Sequence, residues 1–221
     1  MSKRGSLVVI EGLDRSGKST QTSLLLSRLE AAGIPAKLLK FPGKTTAIGQ
    51  MIDSYLKSQS DLDDRAIHLL FSANRWELAS TIEQLLASGT VVICDRYAFS
   101  GIAFSVSKGL SYEWCRAPEV SLPAPDLALF LDITPEAAKA RGGYGEERYE
   151  KEEIQREVGE NFKRIRREIV NDGGVWVDID AGREREVVAD ELWRLVEPLS
   201  RGLETPPRKL WIKKEPTDVF H

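Results

Sequence analysis

Gly12-Leu13-Asp14-Arg15-Ser16-Gly17-Lys18-Ser19 fits the spacing G-x-x-x-x-G-K-S/T without a gap. Its flanks decide how it is read. The apolar run Leu7–Glu11 comes before it and suits a buried strand. From Lys18 to about Ala32 a helical pattern follows, turning Leu24, Leu25 and Leu29 to one side and stopping at Gly33, with Pro35 beyond. Strand, glycine-bounded loop and helix are in register. Glycines at both ends let the backbone curl so that successive N–H groups converge on phosphate oxygens at a helix N-terminus.

The residue types in the loop specify the ligand further. Lys18 is placed to reach the β- and γ-phosphates of a nucleoside triphosphate, and the Ser19 hydroxyl to bind Mg2+. Val91–Cys94 is a second apolar run, and it ends in Asp95. An acid at the carboxyl end of a neighbouring strand is where such a protein holds its magnesium, directly or through water. ATP or GTP binding follows. The chain contains no Asn-Lys-x-Asp guanine motif, and its 221 residues favour a small kinase over a motor ATPase.

Further along the chain, Ala36–Lys40, Leu127–Asp132 and Val175–Ile179 complete five short apolar runs, which alternate with helical patterns. This is the signature of a parallel sheet covered by helices on both faces. Leu62 to about Ser88 reads as a long helix led by Asp61, with room for a break in its middle, and His68 reads as a packed residue within it. Thr134-Pro135 caps a helix entering Ala137–Arg141. Glu150 to about Asn171 and Glu184 to Val196 are the last two helices. After Pro198 the pattern decays into an exposed tail rich in proline and lysine, where Ile212-Lys213-Lys214-Glu215 matches a short modification motif for a ubiquitin-like protein.

Bulk properties narrow the class. Thirty-one basic residues against 34 acidic ones leave a net charge of −3. This speaks against a nucleic-acid polymer as the main partner. Two cysteines, Cys94 and Cys115, point to a reducing compartment. No apolar stretch approaches the roughly 20 residues of a membrane span, and the N-terminal one is too short for a signal peptide. A cytoplasmic setting is expected, with the nucleus left open.

Several motifs together carry a resemblance to a family. They are the loop Gly12–Ser19 with Thr20-Gln21, Phe41-Pro42, Leu69-Leu70-Phe71-Ser72-Ala73-Asn74-Arg75-Trp76-Glu77, Asp95-Arg96-Tyr97-Ala98-Phe99-Ser100-Gly101, Pro125-Asp126-Leu127 and Gly145-Glu146-Glu147-Arg148-Tyr149-Glu150. In content and order they resemble eukaryotic and poxviral thymidylate kinases, from about Leu7 to Val196. The resemblance implies a P-loop NTPase fold of the α/β class, with a five-stranded parallel sheet, helices on both faces and a short lid. Residues 1–200 would form one kinase domain, with a lid at about 141–150 and a flexible or extended tail at 201–221. The implied reaction moves the terminal phosphoryl of ATP to dTMP with Mg2+ as cofactor.

Roles follow by resemblance. ATP would lie on Gly12, Leu13, Asp14, Arg15, Ser16, Gly17, Lys18, Ser19 and Thr20, with Arg141 of the lid stacked on adenine. Arg15 would act like an arginine finger supplied in cis, or else stand as a solvated charge. Arg96 would bridge acceptor and donor phosphates, or pair with Asp95 or another loop carboxylate, and both can hold together. Ser19 and Asp95 would hold the metal. For dTMP, Phe71 would stack on thymine and Arg75 would face its carbonyl edge, the i, i+4 spacing placing both on one helix face. Phe104 and Tyr149 would flank sugar and base, with Gln155, Ser100 and Gly101 close by. Asp14 would accept from the 3′-hydroxyl, and Phe41 would lead into the phosphate grip. That grip departs from the family. An acid and then an arginine are usual after Phe41-Pro42, whereas here Gly43-Lys44 follows, keeping a charge but losing the bidentate fork.

A homodimer, with helix Leu62–Ser88 as its surface, is likewise implied by the resemblance. Two other readings stay open from the sequence: a kinase for a different nucleotide or nucleoside, and a nucleotide-binding regulatory protein without turnover.

Overall fold

A computed structural model describes residues 3–134, 137–138, 149 and 152–212. Five strands form one sheet: β1 Leu7–Gly12, β2 Ala36–Lys40, β3 Val91–Asp95, β4 Leu127–Asp132 and β5 Trp176–Asp180. Every pairing is parallel, in the order β2-β3-β1-β4-β5. The helices are α1 Lys18–Ala31, α2 Ala47–Leu56, α3 Asp64–Ala87, α4 Ala98–Val106, α5 Tyr112–Arg116, α6 Glu152–Asn171 and α7 Arg185–Val196. Short 3-10 turns follow α5 at Ala117–Glu119 and α7 at Glu197–Arg201.

Strand alternation sorts the core into two layers. Leu7 and Val9 of β1 and Val92 and Cys94 of β3 face the layer built with α3, α4 and α6. Val8 and Ile10, with Val91 and Ile93, face the layer built with α1 and α7. The same parity carries past the apolar runs to their polar ends. Glu11 falls on the α4 side and Asp95 on the α1 side, and this parity places two functional carboxylates.

The expected strands stand within a residue of their ends. The long helix is unbroken over 24 residues and starts later than expected. Asp63, not Asp61, is its N-cap, its carboxylate accepting from the Arg65 N–H at 2.9 Å. The Thr134 hydroxyl accepts from Ala137 N at 3.3 Å, as a helix cap should. Glu152–Asn171 is the helix expected from Glu150.

Three helices were not anticipated. α4 is apolar on every side and buried at seven of its nine positions, so it carries no amphipathic period to read. α2 opens at Thr46, whose hydroxyl accepts from Gly49 N at 3.1 Å, in a stretch read only as a phosphate grip. α5 has five residues.

The segment after Pro198 was expected to be exposed. Its described part, to Ile212, is docked on the body after the 3-10 turn at Glu197–Arg201. Leu203 pairs antiparallel with Arg4, Lys209 pairs with Pro123, and Leu210 is 2% exposed. Arg4 fixes the arrangement by donating to the Thr205 carbonyl at 2.5 Å while its fork grips Asp126 at 2.7 and 2.8 Å. The modification motif and the rest of the tail beyond Ile212 lie outside the described residues, as does the lid from Arg141 to Arg148.

Candidate active site

The phosphate loop leaves the C-terminal edge of β1 at the centre of the sheet, where parallel sheets place their ligands. Gly12 has φ +151°, and a Cβ there would meet the Leu131 carbonyl oxygen at 2.6 Å and Ser16 Oγ at 2.7 Å. Gly17, at φ 92°, starts α1 as a left-handed N-cap. Only glycine meets both demands without strain. Arg15 and Arg96 adopt φ 62° and 65°, a region that costs energy for residues with a Cβ.

Lys18 is buried and donates from Nζ to the Leu13 carbonyl at 2.6 Å and to Ser16 Oγ at 3.2 Å. Burial, reinforced by Arg96, pulls its ammonium down to about 7, with Asp14, Asp95 and Glu11 opposing. Ser19 Oγ donates to Asp95 Oδ2 at 2.6 Å, joining the first turn of α1 to the end of β3. One hydroxyl and one carboxylate are hard oxygen donors that fit Mg2+, an ion that keeps several waters and takes substrate phosphate oxygens. Among the described residues there is no cluster of three or more histidine, cysteine, aspartate or glutamate side chains that could form a closed metal cage. Leu13 packs on the core and Thr20 is exposed.

Arg96 occupies the centre of the site. Its guanidinium pairs with Asp14 and donates to the Gly12 carbonyl at 3.2 Å and to Ser100 Oγ at 3.1 Å. It also lies over the Phe104 ring, 5.4 Å from its centroid. The expected pairing with a loop carboxylate is therefore with Asp14 rather than Asp95. Gln155 of α6 holds the same carboxylate from the other side. It donates to Asp14 Oδ2 at 2.7 Å and to the Tyr149 carbonyl at 3.0 Å, and accepts from Asp14 N–H at 3.0 Å.

Beside Arg96 lies an aromatic cluster. Phe71 and Phe104 are half-buried against Ile52, Tyr55, Ile67 and Tyr149, with the Phe104 and Tyr149 rings 5.4 Å apart. Lys108 caps this wall, donating to Tyr55 OH at 2.8 Å and standing 4.7 Å from the Tyr149 ring centroid. Arg75 is buried on the same helix face as Phe71, and its guanidinium lies against Gly101. Phe41 is packed in the core, 5.7 Å from the Tyr97 ring, and the bond to Pro42 is cis.

Lys44 is exposed and pairs at 2.6 Å with Asp53, which also takes Lys57 at 2.5 Å. Hydrogen bonds from Lys44 and then Lys57 lower the Asp53 carboxyl below its ordinary range. Asn74 holds the loop that carries Lys44 through Gly43, accepting from its N–H at 2.7 Å and donating to its carbonyl at 3.1 Å.

Two carboxylates were missed by reading motifs. Glu11, fully buried, accepts from the backbone N–H of Tyr97 at 2.9 Å and of Ser100 at 3.0 Å, and from the Ser100 hydroxyl. Burial raises its carboxyl above the ordinary value, with Ser100 and Arg96 opposing. An acid ending an apolar strand immediately before the loop glycine was the available signal. Glu119, also buried, pairs with Arg75. Nothing local marks it, because its partner is 44 residues away. His68 is packed as expected, between Ser105 Oγ at 2.8 Å and the Cys115 carbonyl at 2.9 Å, and burial lowers its pKa. Arg141 lies outside the described residues.

The family model described as Thymidylate kinase matches residues 10–192. The thymidylate kinase of Schizosaccharomyces pombe is 52% identical over 198 residues, covering 89% of this chain and 94% of that protein. The human thymidylate kinase is 42% identical over 212 residues, covering 95% and 99%. Among solved structures, thymidylate kinase from Candida albicans superposes with a TM-score of 0.85 at 38% identity, covering 95% of this chain and 99% of that one. That structure is described as revealing the origin of broad substrate specificity and a novel structural element. A glycine-bounded phosphate loop, an arginine joining it to an aromatic cluster and this likeness over nearly the whole length together mean that the chain belongs to the thymidylate kinase family.

Proposed function

We propose that the chain transfers the γ-phosphoryl group of ATP to the phosphate of dTMP, giving ADP and dTDP, with the donor on the Gly12–Thr20 loop and the acceptor between Phe71 and Phe104. The observation that carries the placement is Arg96. Its guanidinium touches the loop at Gly12 and Asp14 and the acceptor pocket at Ser100 and Phe104. A cation at that junction neutralises both polyanions as they come into line.

In the transfer, an acceptor phosphate oxygen forms the new bond to phosphorus while the bond to the β,γ-bridging oxygen breaks. The acceptor is already ionised, so no general base is required. Lys18 and the loop N–H groups hold the donor. Arg15, in its left-handed turn, serves as the charge that follows the moving phosphoryl. Mg2+, held through Ser19 and Asp95, would neutralise charge on the β- and γ-oxygens. On the acceptor side Phe71 stacks on the base, Arg75 and Gln155 face its polar edge, and Tyr149 flanks the sugar beside Asp14. Ser100 and Gly101 line the pocket floor, and Lys44 supplies the charge for the acceptor phosphate. Arg141 is assigned to adenine by family resemblance.

A homodimer through α3 is part of this reading. Leu69 and Trp76, seven residues apart on that helix, are 47% and 41% exposed, an apolar stripe suited to a self-complementary contact. Among the described residues no helix is long and apolar enough to cross a membrane.

The experiment is ADP release from ATP and Mg2+ with a panel of nucleoside monophosphates. Release with dTMP, lost in Lys18→Ala and sharply reduced in Arg15→Ala and Arg96→Ala, is the expected result. Release with a purine monophosphate but not dTMP would overturn the pocket assignment.

A further inference from the structure

One face of α3 is locked against the segment that follows α4. His68 reaches Cys115, while Ser72 Oγ and Trp76 Nε1 both donate to the Pro118 carbonyl, at 3.2 and 2.7 Å. Between these contacts lies the Arg75–Glu119 pair, 3% and 0% exposed. Arg75 Nε donates to Glu119 Oε2 at 2.8 Å, and Nη2 donates to Oε1. The carboxylate thus takes the guanidinium in a two-point fork.

A guanidinium has five N–H donors in one plane and no acceptor, and it does not lose its proton. The fork takes one donor from Nε and one from Nη2, fixing the plane and leaving the Nη1 edge, for which no described residue provides an acceptor. On its flank, Gly101 admits the group only because it lacks a side chain. A Cβ there would come to 2.5 Å from Nη2 and 3.0 Å from Nη1. Arg75 is therefore held from behind by Glu119 and from the side by α4, on the helix face that also carries Phe71 into the pocket.

We propose that Glu119 is a specificity-determining positioning residue: by holding the Arg75 fork it presents a fixed, donor-only edge to the acceptor base. This rests on the assignment of Arg75 to the base. Such an edge accepts a pyrimidine with a carbonyl oxygen at position 4. A 4-amino pyrimidine sets donor against donor, and an arginine cannot change its protonation to adapt. Rejection through an unmatched buried polar group is far stronger than rejection by shape. A free arginine could swing aside and let water intervene, so the discrimination depends on the acid that prevents it.

The test compares kcat and KM for dTMP, dUMP and dCMP in the parent, E119Q, E119D and R75Q proteins, with the KM for ATP measured alongside. The dUMP and dCMP bases differ at position 4 and in the proton on N3. In E119Q the KM for dTMP and dUMP is expected to rise about 10- to 100-fold, the energy range of a hydrogen bond to a charged group. The KM for ATP should stay within about twofold, and the preference for dUMP over dCMP should fall at least about tenfold. E119D, with its charge kept but withdrawn by one methylene, should lie between the parent and E119Q. An unchanged preference in both Glu119 variants while R75Q abolishes it would overturn the role of Glu119 alone. An unchanged preference in R75Q as well would remove Arg75 from the base site. If neither Glu119 variant binds ATP, Glu119 is a folding anchor and the proposal falls.

Discussion

Replacing Glu11 with leucine tests a fully buried polar contact in the site. The backbone N–H groups of Tyr97 and Ser100 belong to the first turn of α4, where no carbonyl of the helix itself can accept from them. The N-cap, Tyr97, supplies no side-chain acceptor, so Glu11 caps the helix from the neighbouring strand. In Glu11→Leu those two donors and the Ser100 hydroxyl lose their acceptor in a region closed to water. At roughly 1–3 kcal/mol for each unsatisfied group, with some relaxation of the corner, the loss is about 3–5 kcal/mol of unfolding free energy. Glu11→Gln keeps the shape and a carbonyl oxygen, so roughly 1–2 kcal/mol is expected.

The pH dependence has a definite sign. Burial raises the folded-state pKa of Glu11 above its ordinary value of 4.5. The folded protein then holds this proton after the unfolded chain has lost it. The contribution of Glu11 is greatest below the unfolded value and is lost as pH rises through the folded one. The stability gap between parent and Glu11→Gln should therefore be widest near pH 4.5 and narrower at pH 8. Urea unfolding at both pH values measures it. Because Arg96 sits at φ 65° on the same corner, kcat should fall in parallel. A Glu11→Leu protein within about 0.5 kcal/mol of the parent, the range of an ordinary surface change, would refute the capping role.

Lys18 gives a second pH signature, because its folded pKa near 7 lies below the ordinary 10.5. Between those values the unfolded chain binds more protons, so this lysine makes stability rise with pH across that window. ATP phosphates should restore the charge, and binding at pH 8 should take up about one proton. Calorimetry in buffers of different ionisation enthalpy reads this directly, and zero uptake would contradict it. Asp126→Ala removes the partner of the largely buried Arg4 and an acceptor for Leu7 N–H at 2.9 Å. A loss of about 3–5 kcal/mol is expected, with faster proteolysis of the segment from Leu203. An unchanged melting temperature would show that the segment is not held through Arg4.

The elements that were legible in the sequence are those whose causes are local. A strand buried on both faces is continuously apolar, so Leu7–Gly12 and Leu127–Asp132 stand out. The phosphate loop was legible because its chemistry is carried by backbone N–H groups and two adjacent side chains, all within eight residues. Helices α2 and α4 were not, for opposite reasons. One lay in a stretch read as a ligand grip, and the other is apolar all round and has no face to betray its period.

By itself the sequence determined the five strands and the donor loop, since an apolar run and motif spacing are properties of a short chain segment. The tertiary structure decided the rest. It chose Asp14 over Asp95 as the carboxylate for Arg96, brought Glu11 under α4, docked the segment around Leu210, and set Glu119 behind Arg75. A buried charge takes its partner from whichever element packs across it, and the separations of 44 and 82 residues in two of these pairs lie far beyond the reach of any local pattern.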